Sequence, residues 1–134
     1  MEGNERVATR EPALDLTLQP MVHVEDMAQA LTFYEALGAQ VVQGSRDDDW
    51  ALLRLGGAEF SLLAHPANPE QHEGQVELNF ASATPLEEVA RRLRAGGVTV
   101  VQDVTDEAFG SQLQVATPDG LLVKVNYLEP ELYR

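Results

Sequence analysis

The sequence contains no cysteine, which excludes disulfide bridges, thiolate nucleophiles and cysteine-held metals. Cationic side chains are scarce. Nine Lys and Arg stand against 22 Asp and Glu, a formal net charge of −13 at pH 7. That balance disfavours nucleic acid, whose phosphates attract basic surfaces, and it disfavours anionic membranes. It suits a cationic ligand or partner, or serves solubility alone. No apolar run approaches the roughly 20 residues that cross a bilayer, and the first residues, Met1-Glu2-Gly3-Asn4-Glu5-Arg6, are polar. Neither a membrane anchor nor a secretory leader is expected, and a cytoplasmic location is the expectation. The spacings of a phosphate-binding loop, a dinucleotide fingerprint, a nucleophile elbow and a helical zinc motif are all missing. Aromatic residues make up 6%, with one tryptophan, Trp50.

What is present is a repeat. Gln19-Pro20-Met21-Val22-His23-Val24 precedes one helical segment, and Gln75-Val76-Glu77-Leu78-Asn79-Phe80 precedes another. Each helix runs into glycine, Gly38 or Gly96-Gly97, followed by Val41-Val42-Gln43 or Val100-Val101-Gln102. Each half closes on a strand led by Gly57 or Gly120. Matching positions lie 56 residues apart at Gln19 and Gln75, and 63 apart at the two glycines. The offset drifts in the loops, as in a duplicated unit. The reading is one domain over 14–128: a first module at 14–65, a polar linker at 66–74, and a second module at 75–128. Residues 1–13 and 129–134 read as flexible tails.

Within the first module, alternation over 14–24 predicts a half-buried strand. Asp26 is the expected N-cap of a helix carrying Met27, Ala30, Leu31 and Tyr34 on one face, with Gly38 ending it. Strands are predicted at Trp50–Leu55 and Ala58–Ala64. In the second module, Thr84 is the expected cap and Pro85 the first turn of a helix reaching about Ala95. Strands follow near 98–102, 111–116 and 121–127, with Thr117-Pro118-Asp119-Gly120 as a turn.

Four strands have one apolar face that suits a helix. Their other faces hold Gln19/Met21/His23, Ser61/Leu63/His65, Gln75/Glu77/Asn79 and Lys124/Asn126. Mixed amides, an imidazole and few charges fit the wall of a cavity better than a solvated sheet back.

The segment from Val24-Glu25-Asp26 through Phe33-Tyr34 to Leu37-Gly38 resembles the first helix motif of the vicinal oxygen chelate superfamily, which comprises glyoxalases, extradiol dioxygenases and bleomycin-resistance proteins. The Thr117–Gly120 turn resembles that family's Asp-Pro-Asp-Gly turn, with Thr in place of Asp. The resemblance implies an α+β fold: two βαβββ modules whose curled mixed sheets form a cleft, in a homodimer. It implies four metal-ligand positions, which fall on Gln19, Ser61, Gln75 and Lys124. Two amides, a hydroxyl and an ammonium make a poor divalent-metal site, so no metal and no cofactor are expected. A shifted site built on His23 and Glu77 with His65 is the alternative.

Two functions follow. The first is a binding protein for a small organic ligand, such as a sequestered cationic antibiotic, in a cleft lined by Gln19, Met21, His23, Trp50, Ser61, Gln75, Glu77, Phe109 and Lys124. Trp50 and Phe109 either stack on the ligand or pack in the interior; Tyr127 is expected in the core. The second is a lyase, isomerase or dioxygenase, metal-dependent or assisted by His23 and Lys124, with Lys124 acting electrostatically or as a base if burial lowers its pKa.

Overall fold

The computed structural model describes residues 13–129. The expected tails therefore lie outside the described residues, apart from positions 13 and 129. Among the described residues, nine strands and two α-helices make an α+β fold around a mixed, open sheet.

The first predicted strand forms as two short pieces, β1 (Leu16–Leu18) and β2 (Met21–His23). Pro20 has no N–H to give to a ladder, and the strand breaks around it. Its register nevertheless continues along β6 (Val76–Ser82). Leu16 lies opposite Ser82, Leu18 opposite Phe80, Met21 opposite Glu77 and Val22 opposite Val76. Across the gap, Gln19 N–H donates to the Asn79 carbonyl at 2.8 Å, and the Pro20 carbonyl accepts from Ser61 N–H at 2.8 Å.

Helix α1 (Met27–Ala36) starts as expected, with the Asp26 carboxylate accepting from Gln29 N–H at 2.9 Å. Helix α2 (Leu86–Ala95) does not. Pro85 occupies the capping position without a side-chain bond, and Thr84 Oγ1 instead accepts the Asp15 N–H at 3.1 Å. Glu87 and Glu88 in its first turn and Arg92 and Arg94 in its last complement the helix dipole in place of the missing cap.

The remaining strands are β3 (Gln40–Gln43), β4 (Trp50–Leu55), β5 (Ala58–Leu63), β7 (Thr99–Glu107), β8 (Gly110–Ala116) and β9 (Leu122–Leu128). Their order is β3-β4-β5-β2-β6-β9-β8-β7, with β1 also on β6. Two pairings are parallel, β2 with β5 and β6 with β9; the antiparallel β2–β6 pair joins the halves. β7 extends to Glu107, beyond its predicted end.

There are two cores. α1 closes one with Met27, Leu31, Leu53 and Leu62, edged by Tyr34 against Phe60 (ring centroids 5.0 Å apart). α2 closes the other with Leu86, Val89, Leu113 and Val125; Tyr127 packs at its margin, as expected. Both helices thus cover one side of the sheet strands they follow, and the opposite faces of the four central strands are left to line a cavity.

Candidate functional site

The cavity has a volume of about 390 Å³. The first half of the chain contributes Gln19, Met21, Trp50, Ser61 and Leu63. The second half contributes Asn79, Phe80, Gln112, Lys124 and Asn126, with Phe109 and Leu128 at the end of the hairpin they flank. Apart from Phe80, which is next to Asn79 and packs against the α2 core, alternation puts the strand side chains on one face: Met21 is the register partner of Ser61, and Asn79 that of Lys124. Phe109 is held there by Gly110. This residue has φ +146°, and a Cβ on it would come within 2.1 Å of the Tyr127 carbonyl.

Three of the amides in this wall have partners. Gln19 donates to Glu59 at 3.4 Å, and Gln112 donates to Asn126 at 2.9 Å while accepting from Gln114 at 2.8 Å. Asn79 is 4% exposed, and neither its oxygen nor its nitrogen has a hydrogen-bond partner.

Lys124 is the one charged side chain among the described lining residues. Its Nζ donates to Glu73 Oε2 at 2.7 Å and lies 3.0 Å from Glu77 Oε1. The second contact is an ion pair by distance but lacks hydrogen-bond alignment, which leaves Glu77 Oε1 without a hydrogen bond. Burial alone would lower the Lys124 pKa; Glu73 and Glu77 more than offset it and hold the ammonium above its ordinary value. This corrects the expectation that desolvation could make Lys124 a base. Glu73 shows the converse balance. Burial raises its pKa, but Lys124, the Asn68 N–H and His23 outweigh that and set it below the usual carboxylate range.

Behind this pair lies His23. Its Nδ1 donates to the His65 carbonyl at 2.7 Å, and its Nε2 makes a short contact with Glu77 Oε2. A carbonyl only accepts, so Nδ1 carries a proton. A second proton must lie between Nε2 and the carboxylate. The His23–Glu77 pair is then neutral as a unit, and Lys124 balances Glu73. The whole buried cluster carries no net charge.

His23, Glu73 and Glu77 bring potential metal-ligand atoms within 4.8 Å of one another. The Lys124 ammonium stands among the same oxygens, and a proton joins the same imidazole and carboxylate. A divalent ion would have to displace both. In this arrangement the residues do not fit a metal, whether at the four positions the resemblance implied or at the shifted set.

Of the sequence candidates, Gln19, Met21, Trp50, Ser61, Phe109 and Lys124 line the cavity. His23 and Glu77 are buried beside it, Glu77 in contact with Lys124 and His23 in contact with Glu77. Gln75 is exposed and lines neither cavity, and His65 contributes its carbonyl rather than its ring to His23. Glu73 was missed, because a carboxylate in a polar linker gives no sequence signal of folding back. A short 3-10 turn at Pro69–Gln71, capped by Asn68, returns the linker. The Asn68 N–H then binds the Glu73 carboxylate at 2.9 Å. Glu73 and Glu77 also border a second cavity of about 390 Å³ with His72 and Leu121.

Several known structures share this fold. One from Legionella pneumophila, described as an NAD-dependent benzaldehyde dehydrogenase, is 20% identical with a TM-score of 0.68, covering 84% of this chain and 100% of that one. A superfamily member from Vibrio splendidus 12B01 is 22% identical, TM-score 0.54, covering 84% and 98%. An extradiol ring-cleaving dioxygenase from B. fuscum is 19% identical, TM-score 0.54, covering 92% of this chain but 38% of that one. At these identities the similarity establishes the fold alone. No curated protein matches in sequence. No helix among the described residues is long and apolar enough to cross a membrane. The sequence profile of one family matches residues 17–125, and on that match the chain belongs to the Glyoxalase/Bleomycin resistance protein/Dioxygenase superfamily.

Proposed function

We propose that the protein binds a small, largely apolar organic molecule in the cavity between its halves, with the Lys124 ammonium standing where metal-dependent relatives place a cation. The carrying observation is the neutral, buried His23–Glu77–Lys124–Glu73 cluster. It gives the cavity a fixed hydrogen-bond donor and leaves no vacant ligand set. Trp50, Phe109, Met21 and Leu63 supply apolar wall.

This reading treats the chain as two βαβββ modules. Strand registers then set the correspondence. Met21 pairs with Ser61 and Asn79 with Lys124, so if Ser61 matches Lys124, Met21 matches Asn79 and Gln19 matches Glu77. The third inherited position is Glu77 in place of Gln75, two residues along the same face.

A cationic antibiotic would meet Lys124 with no carboxylate in the wall, which favours a neutral ligand. Catalysis by His23 has less support, since both ring nitrogens are engaged and the ring lines neither cavity. The test is titration of Trp50 fluorescence with neutral, anionic and cationic aromatic compounds, alongside elemental analysis of untagged protein. Saturable quenching that weakens with Met21→Glu, which leaves the Trp50 signal in place, supports the reading. One bound transition metal per chain in the wild type would sink it.

A further inference from the structure

Asn79 is an anomaly that the pocket reading does not itself explain. A buried amide with neither atom bonded has lost its hydration with nothing in return, and such groups are rare unless something fills them. It lines the cavity beside Lys124, its register partner, while the neighbouring amides are tied to other side chains. An asparagine edge offers one acceptor and one donor side by side. Its complement carries a donor next to an acceptor. Lys124 has three N–H groups, one given to Glu73 and one held near Glu77, which leaves one for a ligand oxygen.

Building on the pocket reading above, we infer that the ligand is a neutral molecule that presents an amide edge to Asn79. A primary carboxamide, lactam or imide on an aromatic body fits: its N–H donates to Asn79 Oδ1, and its carbonyl accepts from Asn79 Nδ2 and Lys124 Nζ. Charge selects against the ionic analogues. A carboxylate can accept from Lys124 but cannot donate to Oδ1, which it would face with a like partial charge, and Glu73 and Glu77 already balance the ammonium. An ammonium opposes Lys124 and has no acceptor role to play.

The test is calorimetric titration of the full chain with four naphthalenes of similar size: 2-naphthamide, 2-naphthoate, 2-naphthylmethylammonium and 2-methoxynaphthalene. The amide is expected to bind about tenfold or more tightly than the other three, the scale of one or two net hydrogen bonds. Asn79→Leu, which removes both hydrogen-bonding atoms, should remove that advantage, and the near-isosteric Asn79→Asp, which keeps an acceptor but loses the donor, should reduce it relative to 2-methoxynaphthalene. If Asn79→Leu does not fold, judged by circular dichroism, Asn79→Asp decides. Binding of any of the other three as tightly as the amide overturns this inference alone. So does an amide advantage that survives undiminished in the folded variants. Failure of all four to bind overturns it together with the pocket reading.

Discussion

Glu59 and Glu73 each hold a cation at almost the same distance: Arg54 at 2.6 Å and Lys124 at 2.7 Å. The Arg54 and Glu59 side chains are 52% and 26% exposed; Lys124 and Glu73 are 10% and 12% exposed. Water screens the first pair and leaves it little net worth. The second pair has surrendered its hydration, so each member depends on the other. The first half of the chain keeps its charges at the rim and lines the cavity with neutral groups, Gln19, Met21 and Ser61. The second half places charge inside. Equal distances therefore conceal different energetics.

The largest expected effect comes from deleting the buried cation. Lys124→Met leaves Glu73 and Glu77 facing each other and should cost about 3 kcal/mol, seen as a fall in chemical-denaturation midpoint. It also frees the His23, Glu73 and Glu77 ligand atoms. Zinc should then raise the melting temperature of Lys124→Met and not that of the wild type. A variant that folds but ignores zinc would break the account of Lys124 as a resident cation.

Glu73→Gln should have a smaller effect, and a pH-dependent one. Glu73 titrates below its ordinary value of 4.5 in the fold, so its contribution is full above that pH and is lost as pH falls through the folded value. Lys124 titrates above its ordinary 10.5, so its contribution is full below that pH and is lost as pH rises through the folded value. The stability gap between wild type and Glu73→Gln should be flat from about pH 5 to 10 and narrow on either side. A gap that persists at pH 3 would locate the effect in packing. Arg54→Gln should change stability least, by about 0.5 kcal/mol or less, with any effect fading in salt. A loss equal to that of Glu73→Gln would erase the distinction between rim and interior.

Much of the fold was legible because short-range rules decided it. Asp26 caps α1, Trp50–Leu55 is a strand to the residue, and the alternation around Met21 and Ser61 placed the correct face inward. Thr84 misled because its hydroxyl found a long-range partner, the Asp15 N–H, that no local pattern shows. Gln75 misled for a related reason. The repeated Gln19-x-Met and Gln75-x-Glu spelling put Gln75 in the cavity wall, whereas Gln75 is exposed and Glu77, two residues on, is buried beside Lys124. Glu73 and the isolation of Asn79 depend on how a linker folds back and on which amides find neighbours. Both are properties of the assembled interior, not of sequence spacing.

The ammonium at the centre of the cluster is covalently part of the chain. A chelator cannot strip it, and a competing ion cannot carry it off. The positive charge at this site is present, once per molecule, as soon as the polypeptide has folded.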